Sequence, residues 1–327
     1  MVNVKFARYN NGMKYLPGTL ALRKFYDGLP PVFREWALGD KRKPYLIRAP
    51  HYHNGSAGVR VLHLLCHYLN KRGERAYVIA DRADALNPKL LTPWVKPTKA
   101  KRMARYGAIV VYPEIDLGNP FGAINVARYV LNRPGLLGGE EIYAQSEQVF
   151  VYSQVMVQFV RNPIRGLLFL PSMESDIFNL EPLVERDLIT YYVGKKGKYR
   201  NGFVDRSAPS VVEITSSPHY PETRPELAAL FRRSKVFYCF DMLSIIASEA
   251  RLCGCPVVLI PDEHFSKEQI AEQELGFEGI TYENTPAAIE AARRQVHITQ
   301  KRYANVLACF EQQLSDFINI TQRAALG

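Results

Sequence analysis

The chain has 327 residues, of which 47% are hydrophobic and 23% charged, a size and balance that favour two globular domains and argue against a disordered chain. No window approaches ~18 uncharged apolar residues, so no transmembrane helix is expected, and the opening MVNVKFARYNNGMKYLPG lacks the apolar centre of a signal peptide, which points to the cytoplasm. The net charge of +10 is one-sided: residues 1–186 hold 26 Lys+Arg against 15 Asp+Glu, whereas residues 187–327 hold 16 against 17.

A basic half should favour an anionic partner, although a face that only keeps the protein soluble gives the same count. Its two clusters are Lys41, Arg42 and Lys43, then Lys96, Lys99, Lys101, Arg102 and Arg105. Residues 1–43 show no clean periodicity and read as an extension packed on the first domain. PYLIRAP (44–50) reads as a strand, Val59–Lys71 as a helix and RAYVIA as the next strand, a β-loop-α-β unit of the length a parallel sheet needs. The loop HYHNGSAG between them holds His51, His53, Asn54, Gly55 and Gly58. Its glycines let a ligand approach the backbone at the helix start, but G-x-x-G is too short for a dinucleotide fingerprint.

AIVVYPEI (108–115) is a buried strand running into Glu114 and Asp116. Ligands bind at the carboxyl ends of strands in open α/β sheets, so Glu114 is a candidate ligand contact, which the resemblance described below would make a contact to sugar or acceptor, or else a plain turn carboxylate. FGAINVARYVLN reads as a helix stopped by Pro134 and Gly135. QVFVYS (148–153) and GLLFLP (166–171) are two further strands.

The second half opens with ITYYVGKKGKYRNG, a strand followed by a Gly-rich basic loop containing Gly194, Lys195 and Arg200. VVEITS (211–216) is a strand and PELAALFRRS (225–234) an amphipathic helix. VFYCFDMLSIIASEARLCGCPVVLIP (236–261) then gives strand, acidic turn, helix, Gly break and strand. Asp241 falls at the strand's end and Glu249 about two turns down the helix, while the amides near Leu243 and Ser244 open that helix as an anion site. An ordinary strand-helix-strand unit with solvated acids has the same pattern. Ser266–Leu275, Pro286–Val296 and Lys301–Ile320 read as helices. The five cysteines, Cys66, Cys239, Cys253, Cys255 and Cys309, are odd in number and mostly in apolar runs, so free thiols are expected and no metal site.

The stretch around Asp241 and Glu249 resembles the acidic-x7-acidic signature of retaining family 4 glycosyltransferases, with SEARLCGCPVV standing where that family has a Glu-Ala helix and Cys-Gly-x-Pro-Val-Val. PSMESDIFNLEP, with Pro171, Asp176, Phe178 and Pro182, is similar to the family's interdomain segment, though Met173 and Glu174 depart from it. Lys195 and Arg200 stand at the family's two cation positions with their types exchanged. The order of basic loop, strand, helix, strand and acidic-x7-acidic also matches. The resemblance covers roughly 44–320.

It implies an α/β chain with two facing Rossmann-like domains, the GT-B fold: an acceptor domain over 44–180, a donor domain over 187–300, and a C-terminal helix over 301–327 that crosses back to the first domain. It implies a metal-independent transfer, without a cofactor, from a nucleotide-sugar to a glycan or lipid-linked glycan in bacterial surface polysaccharide synthesis. Such a chain would work in the cytoplasm, at an anionic membrane surface. Glu249 would bind the donor ribose, Asp241 the sugar hydroxyls, and the Leu243 and Ser244 amides the diphosphate. Lys195 and Arg200 would stabilise the leaving phosphate, Gly194, Gly55 and Gly58 would pack against the donor, and His51, His53 and Asn54 would reach the cleft. Retention through a front-face route follows from the same resemblance. A nucleic-acid acceptor fits the charge as well, and a nucleotide-sugar epimerase or a non-enzymatic basic binding module are the other readings of the chain.

Overall fold

The computed structural model describes residues 42–194, 198–216 and 218–326. The expected N-terminal extension over 1–43, with Lys41, lies outside them apart from its last two residues, and Lys195 is also outside.

The first sheet is built from β1 (Tyr45–Arg48), β2 (Ala76–Ile79), β3 (Trp94–Val95), β4 (Ile109–Pro113), β5 (Asn125–Val130), β6 (Gln148–Val151) and β7 (Ile164–Leu167). They run in the order β3-β2-β1-β4-β5-β6-β7, every pair parallel. Burial on both faces explains the composition: all five residues of β4, IVVYP, are buried, the apolar run that an interior parallel strand requires. Helix α1 (Ala57–Lys71) presents Val59, Leu62, Cys66 and Leu69 to the core, the spacing of one helical stripe. Helix α2 (Pro97–Arg105) buries Ala100, Met103 and Ala104, and α3 (Gln154–Val157) is a single turn.

The second sheet holds β8 (Leu188–Tyr192), β9 (Val211–Ser216), β10 (His219–Tyr220), β11 (Ser234–Cys239), β12 (Val257–Leu259) and β13 (Ile280–Thr281). Its order is β10-β9-β8-β11-β12-β13, parallel except for the β9–β10 edge pair. Helices α4 (Arg224–Arg233), α5 (Ile246–Leu252) and α6 (Lys267–Ala271) connect its strands, and α7 (Pro286–Gln295) follows β13. Within each sheet the first strand in sequence lies beside the fourth, so the strand order reverses at β1/β4 and again at β8/β11. This is the doubly wound Rossmann arrangement, and the two domains face one another across a shared cleft.

Two sequence expectations are corrected. FGAINVARYVLN is not a helix: Asn125–Val130 pairs with β4 from Ile109↔Asn125 to Pro113↔Tyr129. Five consecutive residues, Val126 to Val130, are buried, which a helix docked along one stripe cannot achieve and a strand covered on both faces does. The helix expected over Ser266–Leu275 is confined to Lys267–Ala271, where a Ser266–Gln269 capping box starts it.

The chain leaves the first sheet at Leu167 and enters the second at Leu188. The last helix, α8 (His297–Leu326), returns from the second domain to the first. Tyr303 donates to the Met173 carbonyl at 2.6 Å, whereas Phe310, Leu314, Phe317 and Ile318 pack into the first-domain core with Tyr45 and Phe150. Tyr45 and Thr321 hydroxyls meet at 2.7 Å. No described helix is long and apolar enough to cross a membrane.

Candidate functional site in the interdomain cleft

Both sheets point the carboxyl ends of their switch-point strands at the same space. The loops after β1 and β4, and after β8 and β11, converge there, and ligands of open α/β sheets bind at this point. Between them lies a cavity of ≈ 300 Å³, lined from the first domain by Asn54, Gly55, Gly58, Arg60 and Glu114, and from the second by His219, Arg224, Asp241, Glu249 and Asp262.

Glu249 sits on α5 and is 1% exposed. Its Oε1 accepts from Arg60 Nη2 at 2.8 Å and from Arg224 Nη2 at 2.7 Å. Arg60 comes from α1 in the first domain, so this bond crosses the cleft, and Arg224 opens α4 in the second. Arg224 also donates to Glu174 Oε2 at 2.8 Å and stacks on Phe178, 4.3 Å from the ring centre. Burial opposes the charge on Glu249, but Arg224 and Arg60 outweigh it and hold the carboxyl below its ordinary range. The two arginines share one oxygen, Oε1.

Asp241 follows β11 and also lines the cavity. Gly194, at φ +85°, lies so close that a Cβ there would come within 2.6 Å of the Asp241 Cβ; only glycine accepts both the conformation and the contact. The Leu243 amide donates to Asp241 Oδ1 at 3.3 Å and the Ser244 amide to the Asp241 carbonyl at 3.2 Å. Both amides expected as open anion donors are therefore engaged inside the turn. Asp262, past the end of β12, accepts from Met242 N in the same turn at 3.4 Å and from His264 N in its own loop at 2.7 Å.

Glu114, just past β4, is 4% exposed, and its Oε2 accepts from the Leu131 amide at 2.9 Å. Burial pushes its pKa up to about 7, against the pull of that amide. The loop that carries it is held by Arg128, which is fully buried at the centre of β5. Arg128 donates to the carbonyls of Pro113, Asp116 and Gly118 at 3.3, 3.0 and 2.9 Å and is gripped by Glu147 through two bonds of 2.9 and 3.2 Å.

The other expected site residues divide. Asn54, Gly55, Gly58, Leu243 and Ser244 line the cavity, and Gly55 faces His219 of the second domain so closely that a Cβ would come within 2.9 Å of its Nδ1. His51, His53 and Arg200 are exposed and do not line it. Arg60, Arg224, Glu174 and Asp262 were not expected from the sequence. The one visible signal for Arg60 was a charge set among Val59, Val61 and Leu62 on the buried stripe of α1. Among the described residues no group of His, Cys, Asp and Glu is placed to hold a metal ion.

No protein-family model matches the chain, and no curated protein matches it. Among solved structures it is similar to a mutant of T4 phage BGT in complex with UDP-glucose, with TM-score 0.45 and 12% identity, covering 84% of this chain and 98% of that one. It is also similar to CalG4, the calicheamicin glycosyltransferase, with TM-score 0.41 and 12% identity over 86% and 98%. A third is an alpha-glucosyltransferase in complex with UDP and a 13-mer DNA containing a central A:G mismatch, with TM-score 0.40 and 9% identity over 85% and 94%. At such identities no residue role follows from these likenesses.

Proposed function

We propose that the protein is a glycosyltransferase that moves a sugar from a nucleotide-sugar bound to the second domain onto an acceptor hydroxyl presented from the first. One observation carries this reading. The two facing switch points enclose a single cavity with a carboxylate fixed by two arginines on one side and a buried acid of pKa about 7 on the other.

In this reading Glu249 Oε2 accepts from the ribose hydroxyls and Asp241 binds sugar hydroxyls. A group whose pKa lies near neutral pH is suited to proton transfer, so Glu114 acts as the base. The acceptor O–H proton passes to the Glu114 carboxylate, and the acceptor oxygen bonds to the anomeric carbon. The bond from that carbon to the phosphate oxygen breaks, with its electron pair leaving on the diphosphate. A base-assisted single displacement inverts the anomeric centre. Retention by a front-face route, which the acidic-x7-acidic resemblance implies, uses the departing phosphate as the base and assigns Glu114 no proton to take.

A thermal-shift screen across nucleotide-sugars tests the donor, because a ligand that binds only the native state raises apparent stability. At least one nucleotide-sugar should raise the midpoint while its free sugar does not; no shift with any of them contradicts the reading. NMR of the product anomer then separates inversion, which the Glu114 base predicts, from retention.

A further inference from the structure

The densest positive charge of the described chain lies away from the cleft chemistry. Between Asp84 and Glu114 the sequence contains six Lys or Arg and no Asp or Glu. Four of the six, Lys99, Lys101, Arg102 and Arg105, lie on α2, and Lys96 stands just before it; all five are exposed. Counting 100° per residue, the four helical cations share the arc opposite Ala100, Met103 and Ala104, which are buried in the first-domain core. Among the described residues no carboxylate pairs with any of the five.

Arg102 and Arg105 lie in the last turn, where the helix dipole favours cations, but the rest of the arrangement works against the helix that carries it. Lys96 and Lys99 sit at the end where the helix dipole favours anions. Lys99 with Arg102, and Lys101 with Arg105, are like-charge neighbours three and four residues apart, which repel. No acidic residue occupies the first turn to offset them. Helix stability therefore does not explain the lysines at the start or the like-charge pairs, whereas an external polyanion accounts for all five cations.

We propose that α2 is a docking helix for the phosphate backbone of duplex DNA, so that the acceptor hydroxyl belongs to a nucleic-acid chain. The acceptor assignment rests on the transfer reading above; the docking surface does not. The nine residues of α2 extend about 14 Å, a length over which one DNA strand presents about four phosphates. A membrane-surface helix instead turns apolar side chains outward into the lipid boundary, and the apolar side chains of α2 face its own domain.

Fluorescence anisotropy with a labelled short duplex, read over a series of salt concentrations, tests this. Binding should weaken steeply with salt. Replacing Lys99, Lys101 and Arg102 together by Ala should weaken it at least about tenfold and flatten the log–log salt slope by about 2–3, near 0.9 for each phosphate no longer neutralised. Alanine is the best helix former, so the triple variant should keep its unfolding midpoint and its nucleotide-sugar thermal shift, and Arg102→Lys should retain most of the affinity. Absence of salt-dependent DNA binding overturns the proposal, as does an unchanged slope in the triple variant. Binding to equimolar phosphatidylcholine–phosphatidylglycerol vesicles without binding to DNA also overturns it, in favour of a lipid surface. DNA binding without any nucleotide-sugar shift would leave the docking helix standing and remove the transfer reading; the converse would remove only the helix.

Discussion

Among the described residues two buried arginine–carboxylate networks do different work. Arg128 and Glu147 lie wholly within the first domain, and the guanidinium spends its remaining donors on three carbonyls of one loop. That network is closed, and its product is a fixed position for Glu114. The network of Arg60, Glu249, Arg224 and Glu174 spans both domains. It is left open: among the described residues Arg60 Nε is buried without a hydrogen-bond partner, and one oxygen of Glu249 takes both arginines. A closed network holds a reacting group still, whereas an open one can exchange partners when a ligand enters the cleft.

Substitutions can break this contrast at several points. The largest effect is expected from Glu114→Gln, the group the closed network positions: transfer should slow about 10²–10⁴-fold, the usual range for losing a general base. In the proposed mechanism the deprotonated form is the active one, so the wild-type rate should climb as pH rises through about 7, and that limb should vanish in the variant. Arg128→Met should be the largest stability effect, on the order of 3–5 kcal/mol by urea unfolding, because it leaves Glu147 buried and unpaired. Donor affinity should barely change, since the donor side does not depend on this residue.

Arg60→Ala cuts the bond that crosses the cleft to Glu249 and, with it, the 2.6 Å bond to the Asn54 carbonyl in its own domain. Unfolding should lose about 1.5–3 kcal/mol, the range for a hydrogen bond to a charged group, and donor affinity should fall about tenfold, or ~1.4 kcal/mol. The smallest effect is on acid stability. Glu249 is held below its ordinary 4.5, so its contribution is fully present above that pH and is lost as pH falls through the lower folded value. With Arg60 removed the folded value rises, and the acid-side loss of stability should begin at higher pH.

What could be read from the sequence depended on whether a residue's role was local. The strands of both sheets are short apolar runs with turn signals, and Asp241, Glu249 and Glu114 stand at strand ends or helix turns where an open α/β sheet places ligand groups. The misread segment, Phe121–Asn132, shows the limit: Val126 to Tyr129 alternate apolar and polar types poorly, and only pairing with β4 reveals that both faces are covered. Arg60 and Arg224 were illegible for the same reason. Their partner Glu249 lies 189 and 25 residues away, and no local period encodes that pairing. The engaged amides of Leu243 and Ser244 likewise follow from how Asp241 folds back on its own turn, which residue types alone do not state.

The central claim is that the cleft holds a nucleotide-sugar through Glu249, and calorimetric titration of nucleotide-sugars into the wild type and Glu249→Gln tests it most directly. A nucleotide-sugar is expected to bind the wild type and to lose about tenfold or more in affinity, ~1.4 kcal/mol, in the variant. A nucleotide-sugar that bound both with equal affinity, or none that bound the wild type, would contradict the claim.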